Sequence, residues 1–153
     1  MKENNIEIEK WKEMAYSSEL VLPLKFHVRG ISMTPLIRNQ MDEVMVIPLK
    51  KNLKKGDIVL VDTGRQEHRF ILHRIYKMTD NEVQTIGDGN LYPDAWVSRQ
   101  AVLGYAVGMI RDGSWYDLEH GIWKMYGFLW QACLPVRGML LTLGCRGKHF
   151  LKR

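Results

Sequence analysis

Only two cysteines occur in the 153 residues, Cys133 and Cys145, both near the C-terminal end. Two thiols cannot build a disulfide framework, and these form neither a C-x-x-C pair nor a zinc spacing. So sparse a cysteine usage fits a reducing compartment. Long hydrophobic runs are absent too. The longest uncharged apolar stretch is Met125–Val136, bounded by Lys124 and Arg137. It is well short of the ~20 residues needed to span a bilayer, and it suits a buried or interfacial segment. The start, Met1 to Trp11, is acidic and lacks an apolar h-region, so no secretory signal is expected. Acid is what the other end lacks. From Gly121 onward there is no Asp or Glu, against Lys124, Arg137, Arg146, Lys148, Lys152 and Arg153. The formal net charge is +5, so the preceding 120 residues are nearly neutral and the tail is basic. Basic tails favour anionic headgroups or nucleic acid.

What is present suits one folded domain. The chain is 46% hydrophobic and 25% charged, which excludes wholesale disorder. No internal repeat is visible. Residues 6–20 read as a short helix in which Ile8, Trp11 and Ala15 form one apolar stripe, closed by Pro23. The middle reads as β: Phe26–Ile31, Glu43–Pro48, Asp57–Asp62, Phe70–Met78, Glu82–Ile86 and Val102–Arg111 are short strand-like runs with turn residues between them. Many short strands so spaced predict a mainly β barrel or sandwich. The turn Arg111-Asp112-Gly113-Ser114 is the expected end of that domain. Beyond it, Ile122–Leu134 has helical spacing, with Ile122, Tyr126, Leu129 and Cys133 on one side and Lys124 and Gln131 on the other. Met139–Leu143 is a further small apolar run. The expected organisation is therefore an N-terminal helix and lead-in over 1–24, a β domain over 25–112, and a basic amphipathic helical tail over 113–153.

Three short elements carry chemistry. In Gly30-Ile31-Ser32-Met33-Thr34-Pro35 a strand runs into a serine followed by a proline. A serine at a sharp strand exit can present its hydroxyl while nearby backbone N–H groups point the same way, which suits a nucleophile with an oxyanion hole. The same hexapeptide is also an ordinary turn. In Ile71-Leu72-His73-Arg74-Ile75 a histidine sits inside an apolar β-run. It is either a cross-strand core residue or a general base, since imidazole exchanges protons near neutrality. Gly87-Asp88-Gly89-Asn90-Leu91-Tyr92-Pro93-Asp94 reads as a hairpin turn or as a source of two carboxylates, one of which could orient His73.

The order Gly-x-Ser-Met-x-Pro, Lys-Lys-Gly-Asp-Ile-Val, Leu-His-Arg-Ile and Gly-Asp-x-Asn-x-x-x-Asp, over about Phe26 to Val107, resembles the type I signal peptidases and their superfamily, which includes the LexA-like self-cleaving repressors. Bacterial signal peptidases and LexA-like proteins have a lysine base where His73 stands. The endoplasmic-reticulum and archaeal signal peptidases have histidine there. The resemblance implies a complex β fold of the LexA/signal-peptidase kind with flanking helices. It implies Ser32 as nucleophile, His73 as general base, Asp94 as third triad member and Asp88 as a second acidic position. Met33 and Pro35 match residues that shape the nucleophile's turn, and Gly56 and Asp57 match a structural turn. Phe26, Val28, Gly30, Ile31 and Met33 fall where the family binds an extended substrate.

Two features depart from the pattern. Gly30 stands where the endoplasmic-reticulum type often has a serine, which leaves backbone N–H groups, the Ser32 amide first, for the oxyanion. The family's N-terminal membrane anchor has no counterpart in these residues.

The expectation is a serine endopeptidase that cleaves a leader or signal segment without metal or other cofactor. Its expected place is cytoplasmic, or peripheral on the inner membrane face through the basic, Trp-containing tail. Two other readings stay open: a catalytically silent peptide- or membrane-binding relative, and a self-cleaving regulator, for which residues 1–24 are too short to hold a DNA-binding domain. His27, His68, His120 and His149 match no zinc pattern with His73. No helix-turn-helix or base-stacking signature points to a nucleic-acid partner.

Overall fold

The computed structural model describes residues 2–17, 22–66 and 69–139. The expected Met139–Leu143 run therefore lies almost wholly outside the described residues, as do Cys145, His68, His149 and the last four basic residues. The chain is mainly β. Helix α1 (Lys2–Ser17) precedes eight strands: β1 (Leu24–His27), β2 (Glu43–Pro48), β3 (Ile58–Asp62), β4 (Phe70–Met78), β5 (Glu82–Ile86), β6 (Val97–Ser98), β7 (Val102–Arg111) and β8 (Ser114–Asp117). Helix α2 (Gly121–Ala132) follows, then a short 3-10 turn at Leu134–Val136.

All the strands form one antiparallel sheet in the order β1-β2-β7-β3-β4-β5-β6, with β8 paired to β7. Strand β7 is long enough to pair with β2 along one edge and, along the other, with β3 at its start and β8 at its end. Strand β2 alternates buried Val44, Val46 and Pro48 with half-buried neighbours, as a strand with one face on a core should. Strand β3 is different: Ile58, Val59, Leu60 and Val61 are all buried, because core lies against both faces. One core gathers Phe26, Leu60, Leu72 and Met109, and the other gathers Val59, Val61, Ile75, Val83 and Tyr105. Burying each such side chain is favourable by roughly 1.5–3 kcal/mol, which fixes the strand register.

The α1 stripe meets the first core as its spacing predicts. Ile8 and Trp11 are buried, Ala15 packs beside them, and the Trp11 Nε1–H donates to the Leu22 carbonyl at 2.7 Å. The turn at Arg111–Ser114 is a hairpin, not the end of the sheet. Strand β8 returns along β7, pairing Ile110 with Trp115 and Gly108 with Asp117.

Helix α2 is rotated from the face expected: of the expected apolar side Tyr126 turns inward and Ile122 and Leu129 do not. Its inward side carries Trp123, Tyr126, Gly127, Trp130 and Gln131, while Ile122, Met125, Phe128 and Leu129 are exposed. The reason is polar. The Lys124 Nζ donates to Asp57 Oδ1 at 2.6 Å, the Gln131 Nε2–H to the Ile75 carbonyl at 2.7 Å, and the Trp130 Nε1–H to the Asp88 carbonyl at 2.7 Å. Buried polar groups on the domain need these partners, and their need decides which face turns in.

Candidate active site

Strand β1 and its extension bring the chain to Gly30, whose φ is +103°. That left-handed conformation admits glycine readily and a side chain poorly, which accounts for the absence of a hydroxyl at this position. The Gly30 N–H donates to Asn39 Oδ1 at 2.9 Å. A tight turn follows: the Thr34 N–H reaches the Ile31 carbonyl at 3.0 Å and the Ile37 N–H reaches the Met33 carbonyl at 2.9 Å. Ser32 is thereby lifted to the surface of a cleft while Met33 is driven into the core, where it has no exposure.

The serine does not stand alone. Its Oγ lies 2.9 Å from His73 Nε2, and His73 Nδ1 lies 2.6 Å from Asp94 Oδ2. Strand β4 delivers the buried His73, and the chain after β5 delivers Asp94, whose N–H is tied to the Thr85 carbonyl at 2.8 Å. Thr85, unremarked in the sequence, donates its hydroxyl to Asp94 Oδ2 at 2.7 Å. Burial works to raise the Asp94 pKa. The hydrogen bond and charge of His73, the Thr85 hydroxyl and the nearby Arg65 outweigh it and hold the carboxyl below its ordinary value. An ionised Asp94 accepting from Nδ1–H leaves Nε2 free to accept the serine proton, the arrangement a nucleophilic hydroxyl requires.

Asp88 does not join this chain. It has no exposure and forms a two-pronged pair with Arg74, whose Nε–H and Nη2–H reach its two oxygens at 2.9 and 2.7 Å. The Arg74 Nη1–H also donates to the Gly56 carbonyl at 2.8 Å. Asp88 nevertheless bears on Ser32 through its neighbours. The Gly89 N–H donates to the Ser32 carbonyl at 2.7 Å, so loop 87–90 lies backbone to backbone against the serine turn. A Cβ on Gly87 would strike the Ser32 carbonyl oxygen, and one on Gly89 would stand 2.7 Å from that of Ile31. Behind the loop, Trp130 holds the Asp88 carbonyl, and the Arg137 Nη1–H reaches the Gly87 and Asn90 carbonyls at 3.2 and 3.0 Å. The motif thus splits. Asp94 touches the histidine, and Asp88 anchors a loop that braces the serine.

The cleft has a volume of about 800 Å³. Of the expected substrate-binding residues, Phe26, Val28, Gly30 and Ile31 line it, and Met33 does not. Leu60, Leu72 and Phe70 supply apolar wall, and Arg29, Arg65, Asn90 and Trp96 complete its border. Strands β1 and β6 end the sheet, yet Phe26 of β1 and Val97 of β6 line the same cavity. The sheet therefore curls until its two free edges flank Ser32, and the cleft is the seam left between them. Gly56 and Asp57 form a turn whose carboxylate caps the Lys54 N–H at 2.9 Å and pairs with Lys124. Among the described residues no group of three or more His, Cys, Asp or Glu side chains is placed to hold a metal ion.

Compared with known proteins, the chain matches no family model and no curated protein at a significant level.

Proposed function

We propose that the chain is a serine endopeptidase that cuts an extended leader or signal peptide, built on the fold of the histidine-dependent signal peptidases. The observation that carries this reading is the unbroken hydrogen-bond chain Ser32–His73–Asp94, opening into a cleft between two strand edges. An extended peptide can add to such an edge by main-chain hydrogen bonds, placing its carbonyl against the serine. His73 Nε2 takes the Ser32 proton as Oγ attacks. The imidazolium that forms is stabilised by Asp94 at 2.6 Å and then protonates the leaving amine. The developing oxyanion is met by backbone N–H groups, that of Ser32 among them. In the second half, His73 activates water and the acyl-enzyme is released.

The test is active-site labelling. A fluorophosphonate should phosphonylate Ser32 in the full chain, with the adduct located by mass spectrometry. Ser32→Ala and His73→Ala should each abolish labelling and peptide cleavage, and the double variant should be no worse than either, because members of one catalytic unit are non-additive. Cleavage that persists in Ser32→Ala at the wild-type rate overturns the reading.

A peripheral membrane position belongs to the same proposal. It is supported by the outward apolar face of α2 and by the four basic residues that follow position 139 in the sequence. No helix among the described residues is long and apolar enough to cross a membrane. Interfacial helices bind through apolar area plus attraction to anionic lipid, so binding should weaken as salt rises and leave an apolar remainder. Phe128→Ser with Leu129→Ser should cut co-sedimentation with anionic vesicles. Equal pelleting of both proteins counts against it.

A further inference from the structure

The cleft carries more positive charge than the single triad carboxylate balances. Arg38, Arg69, Arg74 and Arg111 each have a carboxylate partner. Arg29 and Arg65 form no direct ion pair among the described residues, although Arg65 lies near enough to Asp94 to help hold it ionised, and both line the cleft. They come from separate segments: Arg29 stands three residues before Ser32 in the chain that follows β1, and Arg65 stands in the connection between β3 and β4. Both are exposed. Among the described residues the only carboxylate lining the cleft is Asp94, and its Oδ2 is already occupied by His73 and Thr85. A concave site with low-dielectric walls concentrates the field of such unmatched charges on whatever enters it. A guanidinium has a donor fork shaped for a carboxylate, so each of these arginines suits an Asp or Glu side chain.

We propose that Arg29 and Arg65 make the cleft selective for peptides that carry acidic side chains within a few residues of the bond to be cut. Residues of an extended peptide advance about 3.3 Å each, so a ligand running along the β1 edge past Ser32 passes Arg29 within a few residues of the reacting carbonyl. The apolar wall of Phe26, Leu60 and Leu72 receives its alternate side chains. This inference rests on the cleft being a peptide site. It adds a substrate class, acidic leader segments, that the triad does not specify.

The experiment separates the two claims. Full-length Ser32→Ala protein is titrated with two fluorescein-labelled dodecapeptide pools of random sequence, one fixed as Glu and the other as Gln at three central positions, and binding is read by polarisation. Exposed and half-exposed ion pairs are worth up to about fivefold each, so the Glu pool should bind about tenfold more tightly at low salt. The gap should narrow as salt is raised, and it should close in a protein that also carries Arg29→Ala and Arg65→Ala. Arg65→Lys should keep part of it, because charge remains while the fork is lost. Equal affinity for the two pools, absence of binding by either, or a Glu preference that survives both alanine substitutions overturns the proposal. Fluorophosphonate labelling of the wild-type chain is run beside it. Labelling without Glu preference sinks the selectivity alone, and Glu preference without labelling sinks the peptidase reading alone.

Discussion

Removing the Asp88 carboxylate should unfold the protein before it disables the chemistry. Arg74 is 2% exposed and Asp88 has no exposure, so Asp88→Ala leaves a guanidinium buried with only the Gly56 carbonyl as partner. Breaking such a pair from one side costs about 3–5 kcal/mol, a large share of the ~5–15 kcal/mol that holds a domain together. At this chain length the loss corresponds to a fall in Tm of roughly 6–20 °C. The compensated variant Arg74→Met with Asp88→Leu replaces both partners by apolar groups of similar volume and should recover most of the loss. Urea unfolding followed by tryptophan fluorescence measures the stabilities. The folded fraction of Asp88→Asn, assayed well below its midpoint, should still be phosphonylated at Ser32, because Gly89 and not the carboxylate touches the serine turn. A stable Asp88→Asn protein that cannot be labelled would falsify this division and return Asp88 to the chemistry.

Three further outcomes follow from the geometry. His73→Lys should not restore activity at neutral pH: a lysine base must be neutral, whereas the ionised Asp94 facing that position favours the ammonium form, and near-native labelling of this variant would contradict the assignment of Asp94. Gly87→Ala should slow labelling far more than it lowers Tm, since its methyl displaces the Ser32 carbonyl; a wild-type rate would show that the loop does not set the nucleophile. Burial works to raise the pKa of Asp42, but hydrogen bonds from Arg111 and Arg38 outweigh it and lower it from 3.8 to about 2. The folded pKa is the lower one, so this carboxylate's stabilisation, about 2 kcal/mol, is complete above pH ~4 and is lost as pH falls toward 2. Asp42→Asn should remove that part of the acid transition, seen in urea midpoints measured from pH 5 to 2.

The strands were legible as short β-rich runs set off by turn residues: Glu43–Pro48, Phe70–Met78, Glu82–Ile86 and Val102–Arg111 fall where the sequence puts them. Local signals misled where tertiary partners decide. Asp112-Gly113 looks like a domain boundary and is the turn of a hairpin, since nothing nearby announces that β8 pairs with β7. Lys124 and Gln131 look like solvent residues and are drawn inward by Asp57 and the Ile75 carbonyl, which lie more than fifty positions away. At the site, motif order was enough to bring out Ser32 and His73 together with two acids, Asp88 and Asp94. It could not separate Asp88 from Asp94, because the distinction lies in Arg74, a cation inside an apolar run whose burial no spacing reveals. Thr85 carried no signal beyond ordinary strand propensity.

His73 and Arg74 are consecutive on β4, and alternation sends them to opposite faces, one to the nucleophile and the other to the brace beneath α2. The strand therefore works as a phase lock. A slip of one residue in one direction would offer the Arg74 guanidinium to Ser32 and Ile75 to Asp88, and a slip in the other would offer Leu72 to Ser32 and the His73 imidazole to Asp88. Chains mispaired by one position along β3 would thus lose the Ser32–His73 contact as well as their packing, so the hydrogen-bond chain at the cleft and the brace beneath α2 are made or lost together.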